Sequence, residues 1–360
     1  MRNTKKRKNM KKLRAGIVGC SGIANDKHLP AIQRNGNFEI TAFCDLFEER
    51  AQTAKETYGT EDARVYTDYR ERLKEDLDVV YVLTPNSTHA EVSIAAMESG
   101  KHVMCEKPMA KTYDEAKAMV EVAHRTGKVL NIGYQCRYRA DAQYLKQACE
   151  DGELGDIYFA KALAVRRRAV PTWGVFLDKD KQGGGPLIDM GTHALDMTLW
   201  MMDNSEVESV TGSTFQKLAD QTNTGNRWGD WDPEKFTVED SAFGFIKMKN
   251  GATIVLESSW ALNMVESEGA QTLLCGTKAG ADMKDGLRIN RVHYGRQCIE
   301  KPDLTTGMPE NPDDIEQRIF YHAVADGAEL VVKPEQALVV TRVLEAIYES
   351  ARTGKTIYFD

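Results

Sequence analysis

Two absences in this sequence each exclude a class of protein. No apolar run approaches the roughly 18 residues that a membrane span needs, so we expect no membrane-embedded segment. Positive charge is not in excess, because 47 Lys and Arg residues are set against 54 Asp and Glu residues, for a formal net charge of -7. Nucleic-acid binding is therefore not expected, since it normally requires a basic surface.

Paired cysteine motifs are also absent. The seven cysteines are an odd number, are scattered along 360 residues and contain no Cys-x-x-Cys pair. This usage predicts reduced thiols in a cytoplasmic protein without a zinc site. The first residues, MRNTKKRKNMKK, are basic but lack the apolar stretch of a signal peptide. We interpret residues 1–12 as a disordered basic tail, with a polybasic interaction arm as the alternative.

What the sequence does contain is enough apolar residues, 42% of 360, for two domains. Between residues 13 and 134, short apolar runs alternate with segments of helical periodicity. Two of these helices are predicted to open with capping boxes, at Thr88-x-x-Glu91 and Thr112-x-x-Glu115. The alternation predicts an α/β fold with a doubly wound parallel sheet of the Rossmann type. The predicted strands are RAGIVG (14–19), EITAFCD (39–45), DVVYVL (78–83), HVMCE (102–106) and VLNIGY (129–134).

The first predicted strand runs into GCSGIA, which resembles the dinucleotide-binding pattern G-x-G-x-x-G/A. Gly19 and Ala24 occupy its first and third positions, where a tight turn and close packing of helix on sheet are needed. Ser21 replaces the second glycine. Gly22 beside it keeps the loop open, and the Ser21 hydroxyl is able to donate to a phosphate. We therefore assign Ser21, Gly22 and Ile23 to the cofactor site together with Gly19.

Asp45 ends the second predicted strand, where a carboxylate accepts the ribose hydroxyls of NAD. The same charge repels a 2′-phosphate, and Leu46 next to it offers no compensating cation. NAD is therefore predicted in preference to NADP. The alternative is an aspartate that only caps the next helix.

The ends of the third and fourth predicted strands carry polar segments, TPNSTH (84–89) and EKP (106–108). Ligands of open parallel sheets bind at these strand ends. Lys107 would then lie where a nicotinamide ring is expected, and the positive ring would favour its neutral form. The alternative is an ordinary surface lysine.

The segment GGGPLIDMGTHALD (183–196) places an aspartate and a histidine, Asp189 and His193, four residues apart on a helical pattern. Histidine suits proton abstraction near neutral pH, and the carboxylate would orient the substrate and stabilise the protonated ring. The structural alternative is an Asp–His pair in a core helix, or an aspartate that caps the turn after Pro186. A metal site is disfavoured because no further ligand cluster is evident.

Residues 135–360 are predicted to form a second, substrate-binding and oligomerisation domain. Gln135, Arg137 and Tyr138 follow the last nucleotide strand and are expected to line the cleft. In YFAKALAVRRRAVPTW, Arg166 and Arg168 share one face of an extended strand and would donate to hydroxyls, with Trp173 as a platform for a sugar ring. The alternative is a solvated strand end.

Three further segments of this domain have recognisable patterns. The polar, glycine-rich segment 169–185 is a candidate lid. Residues 241–260 predict a hairpin that turns at Asn250-Gly251. The amphipathic segment 334–354, proline-started and glycine-ended, predicts a helix that packs back on the nucleotide domain.

The motifs GCSGIA, TPNSTH, EKP and GGGPLIDMGTHALD, in this order, resemble those of the glucose-fructose oxidoreductase and inositol dehydrogenase family, Gfo/Idh/MocA. They span some 180 residues, and the remainder is compatible. The resemblance implies a second α/β domain with a large, mostly antiparallel sheet. It also implies dimers or tetramers formed through the open face of that sheet.

The resemblance also implies site residues. Lys107, Asp189 and His193 match the catalytic lysine, aspartate and histidine. The residues that match cofactor positions are Gly19, Ser21, Gly22, Asp45, Pro85, Asn86, His89 and Glu106, and we add Thr84, which opens the TPNSTH segment.

These features together predict an NAD-dependent oxidoreductase that transfers hydride from a secondary hydroxyl of a sugar or glycoside, with C3 of a glucoside favoured. NAD is the expected cofactor, and a small sugar, cyclitol or glycoside is the expected partner, with neither nucleic acid nor membrane. The alternatives are an inositol or cyclitol dehydrogenase, a redox-neutral glycoside-processing enzyme that retains its NAD, and a non-catalytic NAD-sensing regulator on the same scaffold.

Overall fold

The structure is a computed structural model that describes residues 11–221, 223, 225–266, 268–306 and 310–359. Most of the predicted basic tail, residues 1–10, lies outside the described residues. The described residues form two sheets, one of six strands and one of nine. The α/β prediction, with a parallel sheet followed by a mostly antiparallel one, is confirmed. None of the helices in the described ranges has the length and apolar character needed to span a membrane.

The first sheet is parallel and has the order β3-β2-β1-β4-β5-β6. Its strands are β1 Leu13–Val18, β2 Phe38–Cys44, β3 Arg64–Tyr66, β4 Val79–Val82, β5 His102–Cys105 and β6 Leu130–Ile132. Its helices are α1 Leu29–Asn35, α2 Glu48–Tyr58, α3 Tyr69–Arg72, α4 His89–Glu98 and α5 Tyr113–Thr126. The strand order reverses between β1 and β4, which is the switch point where doubly wound sheets bind ligands.

Neither predicted capping box is complete. The Thr112 hydroxyl accepts from the Glu115 backbone N–H at 3.3 Å and caps α5, but the Glu115 carboxylate accepts the Lys111 backbone N–H at 3.2 Å instead of that of Thr112. Thr88 instead lies in a 3₁₀ turn, Asn86–Thr88, and its hydroxyl donates to Thr84 Oγ1 at 2.8 Å. The turn that follows Pro85 therefore leads into α4, and the Thr88 hydroxyl bonds within the loop instead of capping the helix.

The second sheet has the order β14-β13-β12-β11-β7-β10-β9-β8-β15. Its strands are β7 Ile157–Val165, β8 Val207–Phe215, β9 Ser241–Met248, β10 Thr253–Ser259, β11 Glu268–Gly276, β12 Gly280–Asp282, β13 Arg288–His293, β14 Arg296–Glu300 and β15 Ile357–Tyr358. β10 pairs in parallel with β7 and antiparallel with β9. The predicted turn between β9 and β10 is confirmed, with Gly251 at φ 89°.

The remaining helices are α6 Ala140–Glu150, α7 Lys179–Gln182, α8 Thr192–Met202, α9 Pro312–Asp326 and α10 Pro334–Thr353. The predicted helix 334–354 is α10. Its Ile347 packs into the second sheet so closely that a Cβ at Gly244 would come within 2.6 Å of Ile347 Cδ1. It also reaches the half of the chain that holds the parallel sheet, where the Tyr113 backbone N–H donates to Glu345 Oε2 at 3.1 Å.

A second C-terminal helix, α9, returns to the parallel sheet, which the sequence patterns did not indicate. Phe320 of α9 lies edge-on to Tyr81 of β4 at 5.8 Å between ring centroids, and Phe38 of β2 stacks on Phe320 at 6.3 Å. These rings belong to the apolar core on one face of the parallel sheet. One face of the nucleotide-binding half is thus completed by residues far along the chain.

Candidate active site

The glycine loop after β1 has the geometry that a dinucleotide-binding turn requires. Gly19 has φ 92°, and a Cβ there would come within 2.5 Å of the Leu83 carbonyl oxygen. The following residues Ser21, Gly22 and Ile23 are exposed and lead into a π-helix, Ala24–His28. An exposed loop at a helix N-terminus suits phosphate, because its backbone N–H groups and the helix dipole favour an anion.

Asp45 connects this loop to β2 through both of its carboxylate oxygens. Oδ2 accepts the Cys20 backbone N–H at 2.8 Å, and Oδ1 accepts the Phe47 backbone N–H at 3.0 Å. The alternative role as a helix cap is not the arrangement that forms, because Phe47 is the N-cap of α2 and no side chain caps this helix. Each Asp45 oxygen retains a further lone pair, so these two bonds leave the carboxylate able to accept a hydroxyl. Leu46 beside it is 86% exposed and offers no positive charge.

Two residues predicted to contact the cofactor are instead bound to other parts of the chain. His89 is buried between two carbonyl oxygens, with Nδ1 2.8 Å from Pro108 O and Nε2 2.9 Å from Thr84 O. Burial lowers its pKa. Asn86 Nδ2 donates to the Gln182 carbonyl of α7 at 3.0 Å. These side chains hold the ends of β4 and β5 and the second half of the chain together. The buried His89 ring therefore does not face the cofactor, which corrects that expectation, whereas a cofactor contact of the half-buried Asn86 stays a prediction.

The same contact changes the interpretation of the predicted lid, 169–185. Besides accepting from Asn86 through Gln182, α7 accepts Lys111 Nζ on the Asp180 carbonyl at 3.0 Å. Residues 179–182 are thus docked on the loops of the nucleotide-binding half. These contacts argue against a mobile lid at residues 179–182.

Lys107 and Asp189 meet across the two halves of the chain. Lys107 Nζ donates to Asp189 Oδ1 at 2.9 Å and to the Asp189 carbonyl at 3.0 Å, and the two side chains are only 18% and 17% exposed. Burial alone would raise the pKa of Asp189, but the charge and hydrogen bond of Lys107 outweigh it and the pKa is lowered. A surface lysine, the structural alternative, is excluded by this geometry.

A tryptophan that sequence reasoning missed completes the aspartate's environment. Trp260 is fully buried just past β10, and its Nε1 donates to Asp189 Oδ2 at 3.0 Å. The only sequence signal was its position at the end of the predicted hairpin strand. With Lys107 on one oxygen and Trp260 on the other, Asp189 is held ionised and fixed in orientation.

His193 lies one turn beyond Asp189, where a π-helix, Leu187–Gly191, continues into α8. Burial and the nearby charge of Lys107 lower the pKa of His193 to about 3. Its Nδ1 is buried and has no hydrogen-bond partner within the described ranges, and Tyr134 lies edge-on to the ring at 6.2 Å. Asp189 directs its carboxylate to Lys107 and Trp260, so the structural Asp–His pair is not the arrangement that forms.

The glycines that precede this helix allow very close packing. A Cβ at Gly185 would come within 2.2 Å of the Glu239 carbonyl, and one at Gly184 within 2.0 Å of Tyr348 Oη. The Glu239 carboxylate accepts the backbone N–H groups of Gly185 at 2.9 Å and Leu187 at 3.2 Å, and the Tyr348 hydroxyl at 2.8 Å. Glu239 thus caps the turn that carries Asp189 and His193.

Two of the three residues predicted to line the cleft after β6 are buried. Arg137 is 1% exposed, and its Nε and Nη2 donate to Asp196 at 2.9 and 2.6 Å. Tyr138 is also 1% exposed, and its hydroxyl is unpaired within the described ranges. The prediction is corrected for both, because α8 presents Asp196 to the arginine and α9 packs on this turn. Gln135 remains half-buried.

The predicted arginine pair is split between two environments. Arg166 lies in the electrostatic field of Asp189, and its guanidinium carbon is 5.2 Å from the ring centroid of Trp228. Arg168 Nη2 donates to Asn263 Oδ1 at 2.6 Å and serves the neighbouring loop instead. Only Arg166 therefore belongs with the candidate site, which corrects the expectation for Arg168.

Trp173 is 51% exposed and belongs to an aromatic cluster that extends toward Asp189. Its ring lies 4.9 Å from Trp228 and 5.9 Å from Phe176, and Phe176 lies 6.3 Å from Trp260. Trp228 and Phe176 were not singled out from the sequence. We call Trp173, Phe176 and Trp228 the aromatic wall.

Glu106, expected near a ribose, points into the interior instead. It is 4% exposed, and its Oε1 accepts from Lys27 Nζ and His28 Nε2, each at 2.8 Å. This burial corrects its assignment as a cofactor contact. Separately, no group of three or more His, Cys, Asp or Glu side chains in the described ranges is arranged to hold a metal ion.

Comparison with known proteins accounts for both halves of the chain. Residues 13–134 match the model of an oxidoreductase family with an NAD-binding Rossmann fold, GFO/IDH/MocA, and residues 142–282 match the C-terminal domain of the same family. The chain is 36% identical over 351 residues to the D-glucoside 3-dehydrogenase of Escherichia coli (strain K12), covering 96% of this chain and 97% of that protein. It is 31% identical over 201 residues to the inositol 2-dehydrogenase of Salmonella typhimurium (strain LT2), covering 55% of this chain and 56% of that protein.

Solved structures share the fold. The aldose-aldose oxidoreductase of Caulobacter crescentus complexed with glycerol has a TM-score of 0.81 at 25% identity, covering 97% of this chain and 100% of that one. Levoglucosan dehydrogenase in complex with NADH and L-sorbose has a TM-score of 0.84 at 22% identity, covering 98% and 100%. At that identity the second likeness shows the fold alone.

Proposed function

This chain belongs to the GFO/IDH/MocA family of NAD-binding oxidoreductases, and we propose that it oxidises a secondary hydroxyl of a glucoside, at C3, with His193 as general base. The observation that carries the proposal is the Lys107–Asp189 contact, 2.9 Å long, one turn from His193 at the end of the nucleotide-binding sheet. Support for a glucoside comes from the Escherichia coli relative, whose 36% identity extends over 96% of this chain. The inositol dehydrogenase alignment covers only 55%.

Alcohol oxidation removes a hydride from carbon and a proton from oxygen. NAD, when bound, takes the hydride. His193 takes the proton: its lowered pKa, about 3, leaves the ring neutral at neutral pH. A ring of such low pKa is a weak base, so the transfer depends on Lys107 lowering the pKa of the reacting hydroxyl at the same time. Lys107 donates a hydrogen bond to the reacting oxygen and stabilises the negative charge that develops there. Asp189 holds the Lys107 ammonium in place through the 2.9 Å contact.

The glycine loop supports NAD as the cofactor held by these residues. The space at Gly19 excludes a Cβ, so the loop approaches β4 as a pyrophosphate-binding turn does, and Ser21, Gly22 and Ile23 present exposed backbone beside the π-helix. We assign the adenosine ribose to Asp45 and the nicotinamide side to Thr84, Pro85 and Lys107.

The aromatic wall supports a glycoside over a free cyclitol. An exposed tryptophan offers an apolar face to a second ring, and Arg166 between Trp228 and Asp189 donates to hydroxyls next to the reacting carbon. We therefore assign the glucose ring to the Asp189 and His193 region, with Gln135 at its edge, and the aglycone to Trp173.

A substrate screen tests the proposal. Purified protein with NAD is offered glucose, methyl and aryl glucosides and myo-inositol, and NADH is followed by its absorbance. Products are reduced with borodeuteride and analysed by mass spectrometry, which locates the oxidised carbon. Untreated samples are analysed in parallel for cleaved or isomerised sugar, which reveals redox-neutral turnover without net NADH. We expect glucosides to react and deuterium to enter at C3. Turnover of inositol with no glucoside reaction would refute the glucoside assignment.

We also propose that the protein self-associates through the open face of the second sheet. Phe215 and Phe245 on this face are 41% and 52% exposed, and Phe243 lies 6.0 Å from Phe215, while α10 covers the opposite face. An apolar face of this kind is typical of subunit contacts. Light scattering should give a dimer or larger for the parent chain and a smaller species for Phe245→Glu. The seven free cysteines support a reducing, cytoplasmic location.

A further inference from the structure

A buried polar network lies behind the candidate site and is not used by the proposed chemistry. Its centre is the Glu106 carboxylate, whose Oε1 accepts from Lys27 and His28 and whose Oε2 accepts the Lys107 backbone N–H at 3.0 Å. The carboxylate packs closely on the Gly133 backbone, since a Cβ added there would come within 3.0 Å of Oε1. The backbone of Lys107 is thus fixed by the side chain that precedes it.

The network continues into α9 through a chain of hydrogen bonds in which each side chain donates to the next, from Tyr81 to Gln317 to His28. The Tyr81 hydroxyl donates to Gln317 Oε1 at 2.8 Å, which orients the amide. Gln317 Nε2 then lies 3.2 Å from His28 Nδ1 and donates to it. His28 Nδ1 is therefore the acceptor nitrogen, and Nε2 carries the proton that it donates to Glu106.

A second carboxylate, that of Glu316 in α9, shares the Lys27 ammonium group with Glu106. Glu316 is fully buried, and its Oε2 lies 2.9 Å from Lys27 Nζ. Burial raises the pKa of Glu316. For Glu106, burial acts in the same direction, but Lys27 and His28 outweigh it and the pKa is lowered. Glu106 therefore stays ionised, and a further proton taken up by the network binds to Glu316.

We propose that Gln317 is a positioning residue for Lys107: through His28 it holds Glu106, and Glu106 holds the backbone from which Lys107 reaches Asp189. The inference rests on the proposed role of Lys107. Its physical basis is that the contacts form one unbroken path from α9 to the reacting site, and that Gln317, His28 and Glu106 along it are buried. A displacement of about 1 Å of a group at the reacting atoms costs on the order of a hundredfold in rate.

The network also acts electrostatically on the general base. Glu106 raises and Lys27 lowers the pKa of His193, in addition to the larger effects of burial and Lys107. The other titratable groups that face the network include Tyr138, which is next to Glu316, and His89 and Cys105, which both feel the charge of Glu106. A change at Gln317 should therefore alter the pH dependence of turnover, which a purely structural contact would not do.

The test compares Gln317→Leu with Asp314→Asn in the full chain. Asp314 lies on the same helix, but its partner is the exposed Arg34, at 2.7 Å. Turnover of methyl α-D-glucoside with NAD is measured across pH, together with the dissociation constant for NAD and the thermal midpoint. We expect Gln317→Leu to lower kcat on the order of tenfold or more and to shift its pH profile, with NAD affinity little changed, and Asp314→Asn to match the parent.

A kcat and pH profile of Gln317→Leu equal to those of Asp314→Asn would overturn the proposal. Should the leucine variant not fold, Gln317→Glu keeps the acceptor for Tyr81 and replaces the donor toward His28, and the same kinetic shift is expected. Lys107→Met is measured in parallel. If it loses activity while Gln317 variants do not, only the positioning role fails, whereas full activity of Lys107→Met overturns both that role and the proposed chemistry.

Discussion

Lys107 and Asp189 come from different halves of the chain, and their side chains meet at 2.9 Å. The lysine follows β5 of the parallel sheet, and the aspartate opens the helix that packs against the second sheet. The contact therefore brings the residue that we assign to the nicotinamide side of the cofactor next to the helix that carries the proposed base. It also makes the two groups dependent on each other, because each is only slightly exposed and is the other's principal opposite charge.

Replacing Lys107 with Met should lower kcat/KM on the order of a hundredfold, since a group that acts in the transition state is lost. Asp189→Asn should lower it less, because Trp260 still holds the amide. The double variant should be no worse than Lys107→Met alone, as residues that act as one unit are not additive. Steady-state kinetics of the four proteins checks this, and additive losses would show that the two groups act separately.

His193→Ala should lower kcat on the order of a hundredfold or more while the dissociation constant for NAD stays within about threefold, because the ring acts on the substrate hydroxyl. His124→Ala is the matched control, since His124 is exposed and bound to Glu335 at 2.6 Å on the surface. Its kinetics should equal those of the parent. Unchanged turnover of His193→Ala would return this histidine to a structural role.

How far the sequence predicted this site depends on the kind of contact. Strand ends of a parallel sheet share one edge, so the convergence of Gly19, Asp45 and Lys107 followed from pattern and connectivity. Trp260 and Gln317 could not be predicted in the same way. Each pairs with a residue distant in sequence, 71 and 289 positions away, and the pairing arises only from how the second sheet and α9 pack.

The wrong predictions have a common physical cause. Arg137 was assigned to the open cleft because it follows a strand end, and His89 and Glu106 were assigned to the cofactor because they match family motifs that lie at strand ends. In the structure their polar groups are satisfied inside the protein, by Asp196, by two carbonyls and by Lys27 with His28. Sequence gives the position of such a residue at a strand end but not the direction of its side chain.

Acid should destabilise the protein partly through His193. Its pKa is about 3 in the folded chain and about 6.5 when unfolded, so the unfolded state binds the proton more tightly. Stability is therefore lost as pH falls from the unfolded value toward the folded one. His193→Asn should show a smaller loss of unfolding free energy over this interval, measured by urea denaturation. Equal pH dependence in both proteins would show that the ring is not held neutral.

Cofactor choice should follow Asp45. We expect the parent chain to bind NAD at least about tenfold more tightly than NADP, because the carboxylate repels a 2′-phosphate. Asp45→Ser with Leu46→Arg should reverse the preference, and Leu46→Arg alone should only reduce it. Because Asp45 also accepts the Cys20 backbone N–H at 2.8 Å, the double variant should bind NAD more weakly than the parent. Equal dissociation constants for the two cofactors in the parent would contradict the assignment.

Trp260 and Trp231 allow the role of the tryptophan hydrogen bond in catalysis to be separated from its role in stability. Both rings are buried, at 0% and 6% exposure, and both donate through Nε1, to Asp189 at 3.0 Å and to the Ala219 carbonyl at 2.7 Å. Phenylalanine at either position removes a buried donor and leaves its acceptor unpaired, which costs about 1–3 kcal/mol of unfolding free energy. Both variants should therefore melt at lower temperature.

Only Trp260→Phe should also change the kinetics. Without the indole N–H the Asp189 carboxylate loses one of the interactions that lower its pKa, so Lys107 is held by a less firmly oriented partner. We expect kcat/KM to fall on the order of tenfold and its acid limb to move to higher pH, since one charge-assisted hydrogen bond is worth about 1.5–3 kcal/mol. Trp231→Phe, equally destabilised, should keep the parental profile. If both variants lose activity in proportion to their stability, Trp260 supports only the fold and Asp189 needs no second donor.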